Sequence, residues 1–342
     1  MATAPPAAGI DPAAPGAAGV IRGILGNQTG RAVVALLLLL VYNAFFTTNF
    51  LTVATLNVNL TQVATIVIVA VGMTFVIATG GVDLSVGSLM AIAGVLAPLF
   101  LLSGDQFGAP WVGLLLAFAV PILVAGLGGV FNGVLVTAGG LQPIIATLVL
   151  FLAGRGIAQV IVNGGLVEFG NLGSPLLPVF EFIGNGSILG IRFQVLLMIA
   201  IVAVAAWVQG RTTFGRYVLA VGGNESAARL AGVPVNRVKI AVYTLSGLLA
   251  GLAGLIAIAI NHSVDPHTVG KDMELDAIAA VAVGGTPLTG GRATIVGTLL
   301  GALIIQVLRT TLISHNVQDG VARMVIAAVI VAAVLLQRQQ SS

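Results

Sequence analysis

The sequence predicts an all-α integral membrane protein of about ten transmembrane helices, and three observations predict it. First, 58% of the 342 residues are hydrophobic and only 7% charged, with 14 Lys and Arg against 11 Asp and Glu. A soluble domain carries roughly 25% charged residues, so this chain cannot cover a water-facing surface of its size. Second, the apolar residues fall in long runs, whereas a membrane barrel would alternate over segments of about ten. Third, the chain holds 45 glycines, many at small-xxx-small spacing, as in Gly247-Leu-Leu-Ala-Gly251 and Gly297-Thr-Leu-Leu-Gly301. Helices in lipid associate by close backbone approach, and such glycines permit it. A cytosolic enzyme, a nucleic-acid binder and a disordered scaffold are excluded. The isoelectric point of 9.8 reflects a net charge of +3 on very few charges. Without cysteine there is no disulfide framework, thiolate chemistry or zinc-ribbon site.

Residues 1–30, rich in Ala, Pro and Gly, predict a flexible cytoplasmic tail and not a secretory signal. A single transmembrane domain follows over 31–342. Its expected spans are 32–50, 60–79, 87–103, 111–136, 141–162, 192–209, 238–260, 273–284, 293–313 and 321–337. The third is marginal, and the eighth is too short to cross about 30 Å at about 1.5 Å per residue. These short spans sit beside glycine pairs, Gly80-Gly81 and Gly284-Gly285.

Charge sets the orientation. With the N-terminus inside, Arg22, Arg31, Arg211, Arg216, Arg229, Arg237, Lys239, Arg292 and Arg338 are cytoplasmic. The acidic residues Asp105, Glu168, Glu181, Asp265, Asp272, Glu274, Asp276 and Asp319 fall outside. Excess Lys and Arg in inner loops is the positive-inside pattern, and it places both ends in the cytoplasm.

The segment Ala78-Thr-Gly80-Gly81-Val-Asp83-Leu84-Ser85-Val-Gly87 can be laid over Ala282-Val-Gly284-Gly285-Thr-Pro-Leu288-Thr289-Gly-Gly291. Internal repeats with interrupted helices mark transporters, because freed backbone groups line a polar path. Two tight helical hairpins without a transport role are the alternative.

Catalytic chemistry is not legible. Gly210-Arg-Thr-Thr-Phe-Gly215-Arg216-Tyr217 mimics a phosphate loop but lacks its Lys-Ser/Thr. His262, Asp265 and His267 share one short outer loop and read as solvated residues, so no metal site is expected. No His or carboxylate sits mid-span as an ion relay requires; Asp83 comes nearest.

The inner loop 210–237 is the most informative segment. Asn224 is placed to cap a short helix beginning at Glu225, whose charge suits the positive helix end. Ala227, Ala228 and Leu230 offer a small apolar face, Arg229 points elsewhere, and Gly232 and Pro234 end the helix. Such a short helix suggests a docking element, and the plainer alternative is an interfacial helix.

Three blocks carry a family resemblance: Gly72-Met-Thr-Phe-Val-Ile-Ala-Thr-Gly-Gly-Val-Asp-Leu-Ser-Val-Gly-Ser88, Ala220-Val-Gly-Gly-Asn-Glu-Ser-Ala-Ala-Arg-Leu-Ala-Gly-Val233 and Glu274-Leu-Asp-Ala-Ile-Ala-Ala-Val-Ala-Val-Gly-Gly-Thr-Pro-Leu-Thr-Gly-Gly-Arg292. From about residue 32 the chain resembles the permease subunits of bacterial ABC sugar importers, the ribose, xylose, arabinose and galactofuranose group. Ser226-Ala227-Ala228 followed by Gly232 matches the spacing of the importers' cytoplasmic Glu-Ala-Ala-x-x-x-Gly loop, with Ser in the Glu place and Glu225 one residue earlier. Ala153-Gly154-Arg155-Gly156 and Gly301-Ala-Leu-Ile-Ile-Gln306 look most like the galactofuranose type.

The resemblance implies a multi-pass protein of the bacterial inner membrane with the fold of the vitamin B12 importer's permease. It further implies a second permease subunit, two ATP-binding subunits carrying ATP and Mg, and a periplasmic or lipid-anchored sugar-binding protein. This chain itself would bind no cofactor, nucleic acid or metal and catalyse nothing, with lipid as its surroundings. Residues 224–230 and Gly232 would couple to the ATPase. The acidic outer residues Glu168, Glu181, Asp265, Asp272 and Glu274 would receive the binding protein. A path between the glycine turns and the outer half is expected at Asn57, Asn59, Gln62, Asp83, Ser85, Gln159, Asn163, Gln306 and Arg309. Gln306 and Arg309 share a helix face by their spacing. Arg309 either lines the path, paired or in water, or snorkels to the headgroups. The rivals are a permease for a branched-chain amino acid, nucleoside or cyclitol, an ion-coupled secondary transporter and an intramembrane enzyme.

Overall fold

The computed structural model describes residues 28–102, 109–170 and 176–338, and these hold thirteen helices. Ten coincide with the expected spans: α1 (Gln28–Phe46), α2 (Val53–Ala78), α3 (Val86–Leu102), α4 (Pro110–Thr137), α5 (Pro143–Ile161), α7 (Phe193–Arg211), α10 (Val235–Asn261), α11 (Met273–Val283), α12 (Ile295–Ser314) and α13 (Asp319–Arg338). Seven are long and apolar enough to cross a membrane, all but α3, α11 and α13. Of the other three helices, α6 (Leu177–Asn185), α8 (Thr213–Gly223) and α9 (Glu225–Leu230), the sequence predicts only α9. The tail expected over 1–30 lies outside the described residues up to 27, and α1 claims residues 28–30.

The largest boundary error is at α2. Asn57, Asn59 and Gln62 interrupt the apolar run, yet the helix begins at Val53, capped by Thr52, whose hydroxyl accepts from Thr55 N at 3.3 Å. Polar residues broke the hydropathy pattern without breaking the helix. From Val63 to Ala78 every residue of α2 is buried. A helix apolar all round belongs in the centre of a bundle, and α2 occupies it.

Glycine sets how closely the other helices approach. A Cβ on Gly129 of α4 would strike the Tyr243 carbonyl of α10, and one on Gly247 would strike the Ala125 carbonyl. On the other side, Gly297 and Gly301 of α12 lie against the Gly284 and Ala280 carbonyls. Both expected small-xxx-small pairs are therefore packing devices.

The all-helical expectation omits four two-residue strands. β1 (Val167–Glu168) pairs antiparallel with β4 (Ser263–Val264), with Val167 opposite Val264. β2 (Ser187–Ile188) and β3 (Ile191–Arg192) form a hairpin around Leu189 and Gly190, at φ 53° and 82°. Positive φ at both turn positions is the geometry two-residue hairpins favour.

Candidate functional site

Between α7 and α10 the chain folds into two short capped helices. Thr212 caps α8 by accepting from Gly215 N at 3.2 Å, and Asn224 caps α9 by accepting from Ala227 N at 2.9 Å. The end of α9 is a Schellman motif: Val233 N donates to Ala228 O, Gly232 N donates to Arg229 O, and Gly232 takes φ 80°. Glu225 accepts from Arg229 at 3.2 Å and from Lys239 of α10 at 2.6 Å, which fastens α9 to the bundle. The Lys239 hydrogen bond, and after it the charge of Lys239 and the Arg229 contacts, hold the Glu225 carboxyl below the ordinary Glu range against the opposing desolvation. The expected common apolar face is divided. Ala228 is buried against the bundle, Ser226 and Ala227 are exposed, and Leu230 projects outward at 91% exposure. An aliphatic side chain held so far from the bundle on a pinned helix is available to a partner surface.

The two glycine segments turn between α2 and α3 and between α11 and α12, and they touch. Gly291 N donates to Ala78 O at 3.0 Å, and a Cβ on Gly290 would lie 2.7 Å from Gly80 N. Asp83, in the first turn, is fully buried. Its Oδ1 accepts from Ser85 N at 3.0 Å and Ser85 Oγ at 2.6 Å, and its Oδ2 accepts from Ser246 Oγ of α10 at 2.8 Å. Asn132 of α4 donates to Ser85 Oγ at 2.8 Å, and Leu84 N donates to Thr147 of α5 at 3.1 Å. This hub ties one turn to three helices. Asp83 and Ser85 are expected to line a path; here both are enclosed by protein, with Asp83 Oδ1 taken up by Ser85 of the same turn, Asp83 Oδ2 by Ser246 of α10 and Ser85 Oγ by Asn132 of α4.

The N-terminal end of α2 and the C-terminal end of α12 do bring predicted residues together. Gln306 Nε2 donates to Gln62 Oε1 at 2.6 Å and to Asn59 Oδ1 at 3.4 Å, and Thr310 donates to Asn59 Oδ1 at 2.5 Å. Gln306 is 1% exposed and its Oε1 has no partner among the described residues, whereas Gln62 is exposed and Asn59 half-buried. Arg309 donates to both Asp276 oxygens, at 2.9 and 3.1 Å, bridging α12 to α11. It is paired and does not snorkel to the headgroups alone. The cluster continues through Thr311, which donates to Asn43 of α1 at 2.9 Å, and Thr47, which donates to the same oxygen at 2.7 Å. Asn57 is half-buried on α2.

Gln159 and Asn163 are not part of this cluster. Gln159 of α5 sits 3.3 Å from His267 in the loop after α10, and Asn163 is an exposed turn residue at φ 51°. Helix α5 packs on α3 and α4, away from α12.

The acidic residues expected on the outer face divide as well. Glu168 and Glu181 line a cavity of about 360 Å³ with Gly170, Asn261, His262 and Ser263. Glu181 lies 2.6 Å from His262 Nδ1. Asp265 is spent on its own loop, accepting from His267 N at 2.9 Å and Thr268 Oγ1 at 3.0 Å. Asp272 precedes α11 at φ 62° and accepts from Arg323 at 2.7 Å. Glu274 corrects the expectation: it is 5% exposed, its Oε2 pressed towards Gly87, so it cannot meet a protein from outside. His262, Asp265 and His267 do not converge, and no group of three metal-ligating side chains occurs among the described residues.

Sequence reasoning missed Asn43, Asn132, Ser246, Asp276 and Thr310. The signal was there for Asn43 and Asn132, since an amide inside an apolar run must find a partner or a wet surface.

A family model described as "Branched-chain amino acid transport system / permease component" matches residues 55–334. The ribose import permease protein RbsC of Escherichia coli (strain K12) is 43% identical over 311 residues, covering 91% of this chain and 94% of the relative. The fructose import permease protein FruF of Bifidobacterium longum (strain NCC 2705) is 35% identical over 329 residues, 93% and 89% of the two chains. The galactofuranose transporter permease protein YtfT of Escherichia coli (strain K12) is 38% identical over 281 residues, 82% and 79%. The ribose permease thus matches more of the chain, at higher identity, than the galactofuranose type.

Proposed function

The chain belongs to the family of branched-chain amino acid transport system permease components, and from that membership we propose that it is the membrane subunit of an ATP-driven importer of a monosaccharide. The observation that carries this is that relatives covering about nine-tenths of the chain are named as ribose and fructose import permeases. By their names those relatives move sugars, and the outer amide cluster suits the same cargo: Asn59, Gln62, Gln306 and Thr310 offer neutral donors and acceptors matched to hydroxyls.

In this reading the protein sits in the bacterial inner membrane with both termini in the cytoplasm. It pairs with a second permease subunit, two ATP-binding subunits and an external sugar-binding protein, and itself performs no catalysis. Two ATPases docked at α8, α9 and Leu230 close on ATP and drag the coupling helices. The outer ends of α2 and α12 then part, and sugar released by the binding protein meets Asn57, Asn59, Gln62, Gln306 and Arg309. Glu168 and Glu181, with Asp265 and Asp272 at the loop edges, face the binding protein, where charge acts mainly on association rate.

The test is ATP hydrolysis by the complex assembled with its ATP-binding subunits. Sugar-loaded binding protein should stimulate it, and Leu230→Asp should abolish the stimulation while the chain still inserts. A complex that forms and is stimulated equally with Leu230→Asp would contradict the docking assignment.

A further inference from the structure

The C-terminal end of α8 is in close backbone contact with both glycine turns at once. A Cβ on Gly222 would overlap both the Ala78 carbonyl, at the end of α2, and Gly291 N in the second turn. Those same two groups already hydrogen-bond each other, Gly291 N to Ala78 O at 3.0 Å. Gly291 in turn packs against Gly223, and Gly290 against Gly80. Three backbone segments therefore meet with no side chain between them. A second link starts just before α8, at the end of α7. Gln209, at the end of α7, donates to Ala293 O and accepts from Ile295 N at 3.4 Å, so it grips the residues that open α12. Phe214 of α8 also rests on Phe75 of α2, ring centroids 6.1 Å apart.

Backbone against backbone has little compliance. Side chains absorb a displacement by changing rotamer, whereas a carbonyl in van der Waals contact with a glycine transmits it. One turn leads to α2 and, through Asp83, to α4, α5 and α10; the other leads to α12, which carries Gln306 and Arg309. We infer that Gly222 and Gln209 are positioning residues of the transport cycle, which seat the cytoplasmic element on both glycine turns so that its movement reaches α2 and α12 together. This rests on the proposal that α8 and α9 dock an ATPase, and it adds where the motion enters the membrane domain.

The neighbouring glycine supplies the control. A Cβ on Gly223 would meet nothing within 4 Å, so Gly223→Ala is accommodated, while Gly222→Ala must push α8 off the junction. Gln209→Leu removes the second link without adding a clash. The experiment uses the complete complex in proteoliposomes and reads three quantities: retention of the ATP-binding subunits, basal hydrolysis, and stimulation by loaded binding protein. Gly222→Ala and Gln209→Leu should keep their ATP-binding subunits and basal rate but lose about fivefold or more of the stimulation. Gly223→Ala should behave as wild type. If Gly222→Ala fails to assemble, Gln209→Leu decides. Wild-type stimulation in Gln209→Leu, or equal loss in Gly223→Ala, would overturn the inference. A wild-type complex that never recruits an ATPase would instead refute the functional reading beneath it.

Discussion

Arg309 holds both carboxylate oxygens of Asp276, at 2.9 and 3.1 Å, across the seam between the short helix α11 and α12. The side chains are 33% and 20% exposed, so water screens the pair only in part. Hydrogen bonds to charged groups contribute about 1.5–3 kcal/mol. Arg309→Ala and Asp276→Ala should each lower thermal stability in detergent by about that much. The double variant should cost less than the sum, because the singles remove the same interaction. Additive losses would mean that the two act separately.

Asp83 should be a fold determinant. Replacing it with Ala strands the donors of Ser85 and Ser246 in a buried site, at about 1–3 kcal/mol for each unsatisfied group. Asp83→Asn keeps one acceptor and should be intermediate. A melting series in which Ala and Asn are both silent would remove the hub from the account.

Glu225 gives the loop between α7 and α10 a pH dependence whose sign follows from its contacts. The folded carboxyl is held below the ordinary Glu range, chiefly by Lys239, so the folded loop favours the ionised form. That support is complete above the unfolded pKa of about 4.3 and is lost as pH falls through the lowered folded value. Stimulated hydrolysis should therefore not change through this group between about pH 8 and about pH 5. Glu225→Gln should weaken stimulation across the whole interval. A variant as active as wild type at neutral pH would show that the Glu225 contacts do not hold α9 for docking.

The helices were legible because burial in lipid demands long apolar runs, and the loop 224–233 because capping is local chemistry: Asn224 and Gly232 do what their residue types favour. What resisted reading was placement across the bundle. Asp83 reads as a polar candidate in a glycine turn, and only the fold shows Ser246, 163 residues away, closing its second oxygen. Glu274 opens an expected span and reads as an acid facing outside, yet the first turn of α11 buries it. Gln159 and Gln306 are equally polar in sequence, but α5 and α12 lie in different parts of the bundle.

The cluster where the N-terminal end of α2 meets the C-terminal end of α12 predicts a state-dependent reactivity, and the chain has no native cysteine to interfere. Gln62→Cys, at an exposed site, should react with a membrane-impermeant thiol reagent from outside in every nucleotide state. Gln306→Cys, at a site 1% exposed, should react only when ATP opens the outer side, and sugar should slow it. Equal labelling of Gln306→Cys with and without ATP would place the path elsewhere.

The most direct measurement is uptake into proteoliposomes holding the full complex, with ATP inside and loaded binding protein outside. Labelled ribose and fructose, labelled leucine and an added ionophore would run in parallel. ATP-dependent accumulation of a monosaccharide, unaffected by ionophore and with leucine excluded, is the predicted result. Accumulation of leucine in place of sugar, or sugar uptake that needs an ion gradient and ignores ATP, would contradict it.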